Sequence, residues 1–287
     1  MRRILIDLLI FFLATSACAR QTSISPAFPP FEKWRAGVLS GDSAALSALY
    51  SKSPVPQTFG PDNKPISFQD EMTFWSSWKS KGLTNVAAQV TQQKDLAADV
   101  HTLVLQLTLT FTDGATVKKQ FVAMAQTWFR YGDQWSLGVT RHSAATRLRQ
   151  PLENKEIYPA GVDANREIAE TLSTAADSHK RVLIVFGANW CFDCHVLDEA
   201  FQSPEIAPTL NKSFLVVHVD IGHMDKNVDL AEKYGVPLDR GVPALAVLDS
   251  HGELLFSQKG GEFEATRSMA PEDILAFLNK WKPPATE

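Results

Sequence analysis

Residues 189–201 read NWCFDCHVLDEAF and closely follow the apolar run 182–186. A buried strand that ends in a short turn and passes into a helix would place Cys191 at the helix N-terminus. Unpaired backbone N–H groups and the helix dipole favour a thiolate at that position. Cys194 lies one turn further along, so the two sulfurs can close a small disulfide ring. The stretch therefore predicts a redox-active pair, with Cys191 exposed as the attacking nucleophile and Cys194 shielded as the resolving thiol.

A second stretch reads RGVPA at residues 240–244 and runs into an apolar segment. A proline just before a strand is otherwise hard to explain, because proline donates no hydrogen bond to a sheet ladder. With Trp190 directly before Cys191, these features resemble the thioredoxin superfamily, in which a cis-proline loop packs against the cysteine pair. The resemblance covers residues 160–283 and implies an α/β thioredoxin-like sandwich. It also implies that Trp190, Val242 and Pro243 bind the substrate chain, partly by strand-like backbone pairing.

The sequence departs from the thioredoxin pattern close to the cysteines. The family carries a buried acid six residues before the first cysteine, but Val185 occupies that position, so any proton relay must differ. Phe192 and Asp193 replace the family's glycine and proline between the cysteines. The Asp193 carboxylate is expected to oppose thiolate formation, and a protonated His195 would offset that effect. Phe192, Asp193 and His195 are therefore expected to modulate the site.

The chain opens with basic residues and an apolar stretch, residues 4–14, that is too short to span a bilayer comfortably. Small residues follow through Ala19, and the pattern predicts an export signal in residues 1–19 and a periplasmic or secreted protein. Cleavage after Ala19 is favoured. Lipid attachment at Cys18 is the alternative, because the residues before it resemble the end of a bacterial lipobox. The mature protein would keep one cysteine pair, which an oxidising compartment permits to cycle or to stay oxidised.

Length and composition allow two modest domains. The chain has 287 residues, 45% of them hydrophobic, and a formal net charge of −4. Nothing in this balance suggests a nucleic-acid partner. No later apolar run is long enough for a transmembrane span in the mature protein. Polar residues with Pro151 and Pro159 interrupt the apolar patterns and predict a linker at residues 146–159, between domains at 28–145 and 160–283.

The first domain is predicted to be α+β. Helix-spaced apolar residues predict helices within residues 31–78, one of them capped by Asp42 or Ser43, and alternating residues then predict strands between residues 102 and 139. Helices followed by a long curved meander resemble the SnoaL-like family related to nuclear transport factor 2. That resemblance implies a cone-shaped fold with a pocket, and so a candidate small ligand. Some aromatic residues could line the pocket, although a core role is favoured: Phe74, Trp75, Trp78, Trp128 and Trp135.

The second domain has an element order that matches the thioredoxin core. Its predicted elements are a helix at 164–178 capped by Asp163, strands at 181–186 and 214–220, a helix at 228–234, a hairpin at 244–257 and a last helix from Pro271. The family's first strand is expected to be short or missing near residues 156–158.

These features together favour an exported thiol-disulfide oxidoreductase that uses the Cys191/Cys194 couple, with no metal and no other cofactor. Its expected partners are thiol or disulfide proteins, small-thiol disulfides or a redox partner. The alternative is a ligand- or partner-binding protein with a structural disulfide, which is less favoured because so small a ring restrains little of the unfolded chain. Residues 191–195 also spell the c-type haem signature C-x-x-C-H, but that interpretation ignores Trp190 and the proline loop.

Overall fold

The computed structural model describes residues 28–151 and 155–284, which form two parts with separate sheets. The export signal predicted for residues 1–19, with Cys18, lies outside the described residues. Within the described ranges, every helix is too short or too polar to cross a membrane.

The N-terminal part is an α+β unit in which α-helices precede most of a long-stranded sheet. Its helices are α1 (Pro29–Ser40), α2 (Ser43–Ser47) and α3 (Phe68–Ser76). Its strands are β1 (Gln57–Phe59), β2 (Leu83–Ala97), β3 (Val100–Asp113), β4 (Thr116–Tyr131) and β5 (Gln134–His142). The order is β1-β5-β4-β3-β2, with β1 parallel to β5 and the other neighbours antiparallel. This is the architecture expected for residues 28–145.

Local sequence signals explain most of these elements, but two strands were not predicted: β2 and the three-residue β1. The Asp42 carboxylate accepts a hydrogen bond from the Ala45 N–H at 2.9 Å and caps α2 as predicted. Gly114 and Gly132 adopt positive φ angles of 57° and 61° in the two hairpin turns. Strand β2 was not predicted, because β-bulges shift its pairing with β3 at three points and break the alternation of buried and exposed residues.

The C-terminal part places helices on both faces of a mixed sheet. Its helices are α4 (Ala164–Ser178), α5 (Phe192–Phe201), α6 (Ala207–Ser213), α7 (Val228–Lys233) and α8 (Pro271–Trp281). Its strands are β6 (Arg181–Gly187), β7 (Phe214–Asp220), β8 (Ala244–Leu248) and β9 (Leu254–Ser257). The order is β7-β6-β8-β9, with β7 parallel to β6 and the other neighbours antiparallel. This is the thioredoxin-like α/β sandwich that the resemblance implied.

Strand β6 lies at the centre of this sandwich and is buried on both faces. Its alternate residues divide between two cores, with Ile184 and Phe186 in one and Leu183 and Val185 in the other. The first core also contains buried residues of α4 and α7, and the second contains buried residues of α5, α6 and α8. A continuous apolar run of this kind is typical of a strand covered by helices on both sides.

The segment predicted as a linker contacts both parts. Thr146 forms an isolated antiparallel bridge with Phe121 of β4, with N–H to carbonyl distances of 2.8 and 2.9 Å. Leu148, two residues later, is 3% exposed and lies in the core of the C-terminal part. The connection is therefore packed between the two parts along this stretch. The domain boundaries themselves stay a prediction.

Aromatic residues fill the core of the N-terminal part. Trp75, Trp78 and Trp128 are buried, and Phe74 and Trp135 pack against them. This packing agrees with a core role for the aromatic residues that were also considered as pocket lining.

A buried carboxyl group, that of Glu71, joins the helices to this sheet. Its Oε1 accepts hydrogen bonds from the Tyr50 hydroxyl at 3.0 Å, the Trp75 indole N–H at 2.9 Å and the Thr140 hydroxyl at 2.9 Å. Its Oε2 lies 3.2 Å from Nε2 of His142. Burial, and then the charge of Glu71, raise the pKa of Tyr50 well above its ordinary value, so this hydroxyl remains a donor. A fully buried carboxyl group is tolerated because such partners replace water.

Replacing Glu71 with alanine should lower the free energy of unfolding of the N-terminal part by about 3–5 kcal/mol, because its donors lose a buried acceptor. Glu71→Gln retains an acceptor oxygen and should lose less. Gln69→Ala changes an exposed residue of the same helix, so it should stay within about 0.5 kcal/mol of wild type. Urea unfolding followed by tryptophan fluorescence would measure the differences. An unchanged midpoint for Glu71→Ala would show that the network does not stabilise the fold.

Candidate active site

Cys191 caps helix α5 in the turn that follows strand β6. Its Sγ accepts a hydrogen bond from the backbone N–H of Cys194 at 3.1 Å. The two cysteines are joined by a disulfide, with their Cα atoms 5.3 Å apart. Cys191 thus lies at the helix N-terminus, as predicted. When the disulfide is reduced, the unpaired N–H groups there favour a thiolate on Cys191.

Both cysteines are buried in this disulfide form. Cys191 is 5% exposed and Cys194 is 2% exposed, so the prediction that Cys191 is exposed is wrong for the oxidised state. The physical reason is the proline loop, whose Val242 carbonyl oxygen lies 3.4 Å from Cys191 Sγ. The Val242–Pro243 peptide bond is cis, as the family resemblance implied. The structure therefore brings the cysteine turn and residues 242–243 together.

Trp190 and Phe192 form an exposed apolar rim on either side of Cys191. Trp190 is 52% exposed and Phe192 is 40% exposed. The indole N–H of Trp190 donates a hydrogen bond to the Gly222 carbonyl at 2.7 Å, and its ring stacks on His223 at 6.2 Å. These contacts hold an apolar ring in solvent beside a buried disulfide, which is a property of docking surfaces.

The Asp193 carboxylate is buried and paired with Arg267. The arginine side chain donates to Oδ2 from Nε at 3.0 Å and from Nη2 at 2.5 Å, and its backbone N–H donates to Oδ1 at 2.8 Å. The guanidinium also lies 4.9 Å from the centre of the Phe192 ring. The prediction that Asp193 opposes thiolate formation did not include this partner. Arg267 places a positive charge next to the carboxylate and so counteracts that effect.

The His195 ring is bonded to the backbone of the cysteine turn. Its ring is buried, and Nε2 lies 2.8 Å from the Asn189 carbonyl oxygen. A carbonyl oxygen can only accept, so Nε2 carries the proton and donates. The charge that the structure pairs with the Asp193 carboxylate is that of Arg267, and the modulating role of His195 stays a prediction.

Asn189 joins the segment before α4 to the cysteine turn. Its side-chain oxygen accepts from the backbone N–H groups of Ile157 and Tyr158, each at 3.0 Å, and its amide nitrogen donates to the Tyr158 carbonyl at 2.8 Å. Residues 156–158 form no strand, in agreement with the expected short or missing first strand. The Asn189 side chain instead provides the hydrogen bonds that hold this segment to the cysteine turn. It also fixes Tyr158 in the core that contains both cysteines.

Comparisons with known proteins match the part of the chain that contains this site. A family model described as thioredoxin-like matches residues 163–250. The chain is 34% identical over 84 residues to thioredoxin from Buchnera aphidicola subsp. Baizongia pistaciae, spanning 29% of this chain and 69% of that protein. The chain belongs to the thioredoxin-like family. It is also 35% identical to a disulphide isomerase from Xylella fastidiosa Temecula1, covering 45% of this chain and 98% of that one with a TM-score of 0.43.

Other similarities cover smaller shares of longer proteins or concern the N-terminal part. The chain spans 26% of the length of protein disulfide isomerase-like 2-2 from Oryza sativa subsp. japonica, with 28% identity over 108 residues and 38% of this chain. The N-terminal part is similar to an NTF2-like protein from Rhodospirillum rubrum ATCC 11170, with 15% identity, 40% of this chain, 93% of that chain and a TM-score of 0.32.

Removing the Arg267 side chain should slow the reaction of Cys191 with iodoacetamide at neutral pH by roughly three- to tenfold, because the unpaired Asp193 carboxylate then opposes the thiolate. The rate is best measured in a Cys194→Ser background, by quenching and intact-mass analysis. Asp193→Asn added to Arg267→Ala should restore it. Arg166→Ala, at an exposed position of α4, serves as the matched control. Equal rates for Arg267→Ala and wild type would mean that the ion pair does not influence the nucleophile.

Proposed function

We propose that this protein is an exported thiol-disulfide oxidoreductase that acts on protein or small-thiol disulfides. The observation that carries the proposal is the disulfide at the N-terminus of α5, with the carbonyl of the cis-proline loop 3.4 Å from Cys191 Sγ. Similarity to a thioredoxin and to a disulphide isomerase supports the same chemistry. No further cofactor is needed, because the Cys191–Cys194 couple itself carries the electrons.

The proposed reaction in the reductive direction is a double exchange. The Cys191 thiolate attacks one sulfur of the substrate disulfide, the substrate S–S bond breaks, and one substrate sulfur leaves as a thiolate. Cys194 then attacks Cys191 in the mixed disulfide, which forms the internal disulfide and releases the second substrate thiolate. Two electrons pass from the cysteine pair to the substrate.

Trp190, Val242 and Pro243 are the proposed substrate contacts. The Val242 backbone lies beside the disulfide, so an extended substrate chain can pair with it in the manner of an added strand. Trp190 supplies exposed apolar surface at the same place. Phe192, Asp193 and His195 modulate the nucleophile from within the helix turn, the first two together with Arg267.

The N-terminal part is proposed to extend this contact surface. A cleft of about 440 Å³ is lined by Val104, Met124 and His142 of its sheet and also by Phe192 of the cysteine turn. Such a volume lies in the range of small-molecule sites. The cleft is the candidate place for the small ligand, or for a substrate side chain, that was expected of this domain.

The alternative functions fit the site less well. A binding protein with a structural disulfide would gain little from this bridge, because its cysteines are three residues apart. A c-type haem needs two free thiols and an accessible histidine, whereas the cysteines here are bonded to each other and His195 is buried with Nε2 bonded to Asn189. Neither alternative uses the proline loop.

The purified protein should accelerate the reduction of insulin by dithiothreitol, followed as the turbidity of the released chains. Cys191→Ser should lower the rate to that without protein, because the attacking sulfur is gone. Cys194→Ser should instead accumulate mixed disulfides, visible by mass analysis without reductant. Ser203→Ala, on the loop after α5, is a control that should behave as wild type. Undiminished activity in both cysteine variants would contradict the proposed function.

Export should yield a soluble species that lacks the first nineteen residues, in the periplasm of a double-membrane bacterium. Intact-mass analysis of the periplasmic fraction measures the cleavage site directly. Cys18→Ser should leave that product and its location unchanged. A diacylated or triacylated Cys18 at the new N-terminus would instead establish the lipoprotein alternative.

A further inference from the structure

The hydroxyl of Tyr158 is a buried polar group without a hydrogen-bond partner among the described residues. The side chain belongs to the core that holds both cysteines, and it is 1% exposed. Leaving a buried hydroxyl unpaired costs free energy, and nearly all such groups in folded proteins find a partner. A hydrogen-bond acceptor near this hydroxyl would therefore be favourable, and the described residues provide none while the two cysteines are bonded to each other.

The surroundings of Gly187 show which groups lie near the Tyr158 hydroxyl. A Cβ atom added to Gly187 would collide with the Tyr158 hydroxyl and would lie 2.7 Å from Cys194 Sγ. The tyrosine oxygen and the resolving sulfur thus border the same small space, which exists because residue 187 has no side chain. In the oxidised state that sulfur is bonded to Cys191. Reduction converts it to a thiol or a thiolate, and a thiolate is a much stronger acceptor than a disulfide sulfur.

The position of Tyr158 is fixed by the cysteine turn itself. Asn189 binds the backbone of Tyr158 on both its N–H and its carbonyl, at 3.0 and 2.8 Å. The ring also meets the ring of His218 edge to face at 5.3 Å. The hydroxyl is therefore held toward Cys194 from the backbone and from the ring. A fixed donor contributes more than a mobile one, because less entropy is lost when the bond forms.

Tyr158 can act only as a donor to the sulfur. Burial, and then the charges of Asp198 and Asp220, raise its pKa far above the ordinary value, so the hydroxyl keeps its proton. Burial lowers the pKa of the neighbouring His218, although Asp198 works in the opposite direction. Desolvation thus favours a neutral Tyr158 beside the resolving cysteine and a neutral His218 against the tyrosine ring.

We propose that Tyr158 is a positioning residue that donates a hydrogen bond to the Cys194 sulfur once the pair is reduced. It would stabilise the resolving thiolate at a site where the family's buried acid is replaced by Val185, which is itself buried and apolar. When the Cys194 thiolate attacks Cys191 in a mixed disulfide, the substrate sulfur leaves with the electron pair and takes a proton from water. Tyr158 keeps its own proton throughout. The proposal rests on the proposed function.

The reduction potential tests this assignment, because the bond exists only in the reduced state. Tyr158→Phe should shift the equilibrium with a dithiothreitol buffer about tenfold toward the disulfide, equivalent to a potential more negative by about 30 mV. The reduced and oxidised fractions are measured by alkylation and intact mass. Tyr234→Phe, the same change within the same core, is the matched control and should leave the potential unchanged. A second readout is the mixed disulfide with substrate, which should be resolved several-fold more slowly in Tyr158→Phe.

The melting temperature of the oxidised Tyr158→Phe variant shows whether the substitution creates a packing defect. Tyr158→Phe removes only an unpartnered hydroxyl, so the oxidised variant should melt at or above the wild-type temperature. If the wild-type pair cycles but Tyr158→Phe leaves its potential unchanged, or makes it less negative, this inference is wrong and the proposed function stands. A wild-type disulfide that resists reduction across the buffer range would overturn the proposed function, and this inference with it.

Discussion

The missing side chain at Gly187 is the constraint around which the cysteine turn is arranged. Strand β6 ends there, and the space that a Cβ would occupy is shared by the Tyr158 hydroxyl and Cys194 Sγ. A larger residue would have to push against an aromatic ring fixed by Asn189 or against a sulfur fixed by the helix. Both neighbours are packed in a core without room to move, because protein interiors have the density of organic crystals. The contact between strand, tyrosine and resolving cysteine thus depends on glycine.

The electrostatics of the nucleophile follow from how the other charges of the turn are paired. The N-terminus of α5 favours a negative Cys191, and the Asp193 carboxylate in its first turn has the opposite effect. Three N–H groups of Arg267 donate hydrogen bonds to that carboxylate, and its guanidinium lies over the ring of Phe192. Because half of the Arg267 side chain is exposed, solvent weakens the pair's long-range effect. Solvent therefore limits how far the Asp193–Arg267 pair changes the thiolate that the helix N-terminus favours.

Sequence reasoning succeeded where the signal is local and failed where it is not. Strand β6, helix α5 and the cis-proline loop each follow from a short pattern, and all three were predicted. Strand β2 was missed because its bulges break the alternation that identifies strands. The Asp193–Arg267 pair joins residues 74 positions apart, and no pattern at either end marks the other. The burial of Cys191 likewise depends on the proline loop, which is distant in sequence. The position of Cys191 at the start of the helix predicted an exposed sulfur, because that local pattern contains no information about the loop.

The connection between the two parts is stabilised by burial more than by charge. Arg147 and Glu272 pair at 2.6 Å, but both side chains are more than half exposed, and such pairs contribute at most about 1 kcal/mol. Leu148 is 3% exposed in the core of the C-terminal part, and burying a leucine contributes about 1.5–3 kcal/mol. Its neighbour Thr146 is meanwhile bonded to the backbone of β4. An apolar anchor on one side and a backbone bridge on the other keep the N-terminal sheet against the cysteine turn. One wall of the cleft at Phe192 is therefore formed by residues of the N-terminal sheet, and the connection holds that sheet in place.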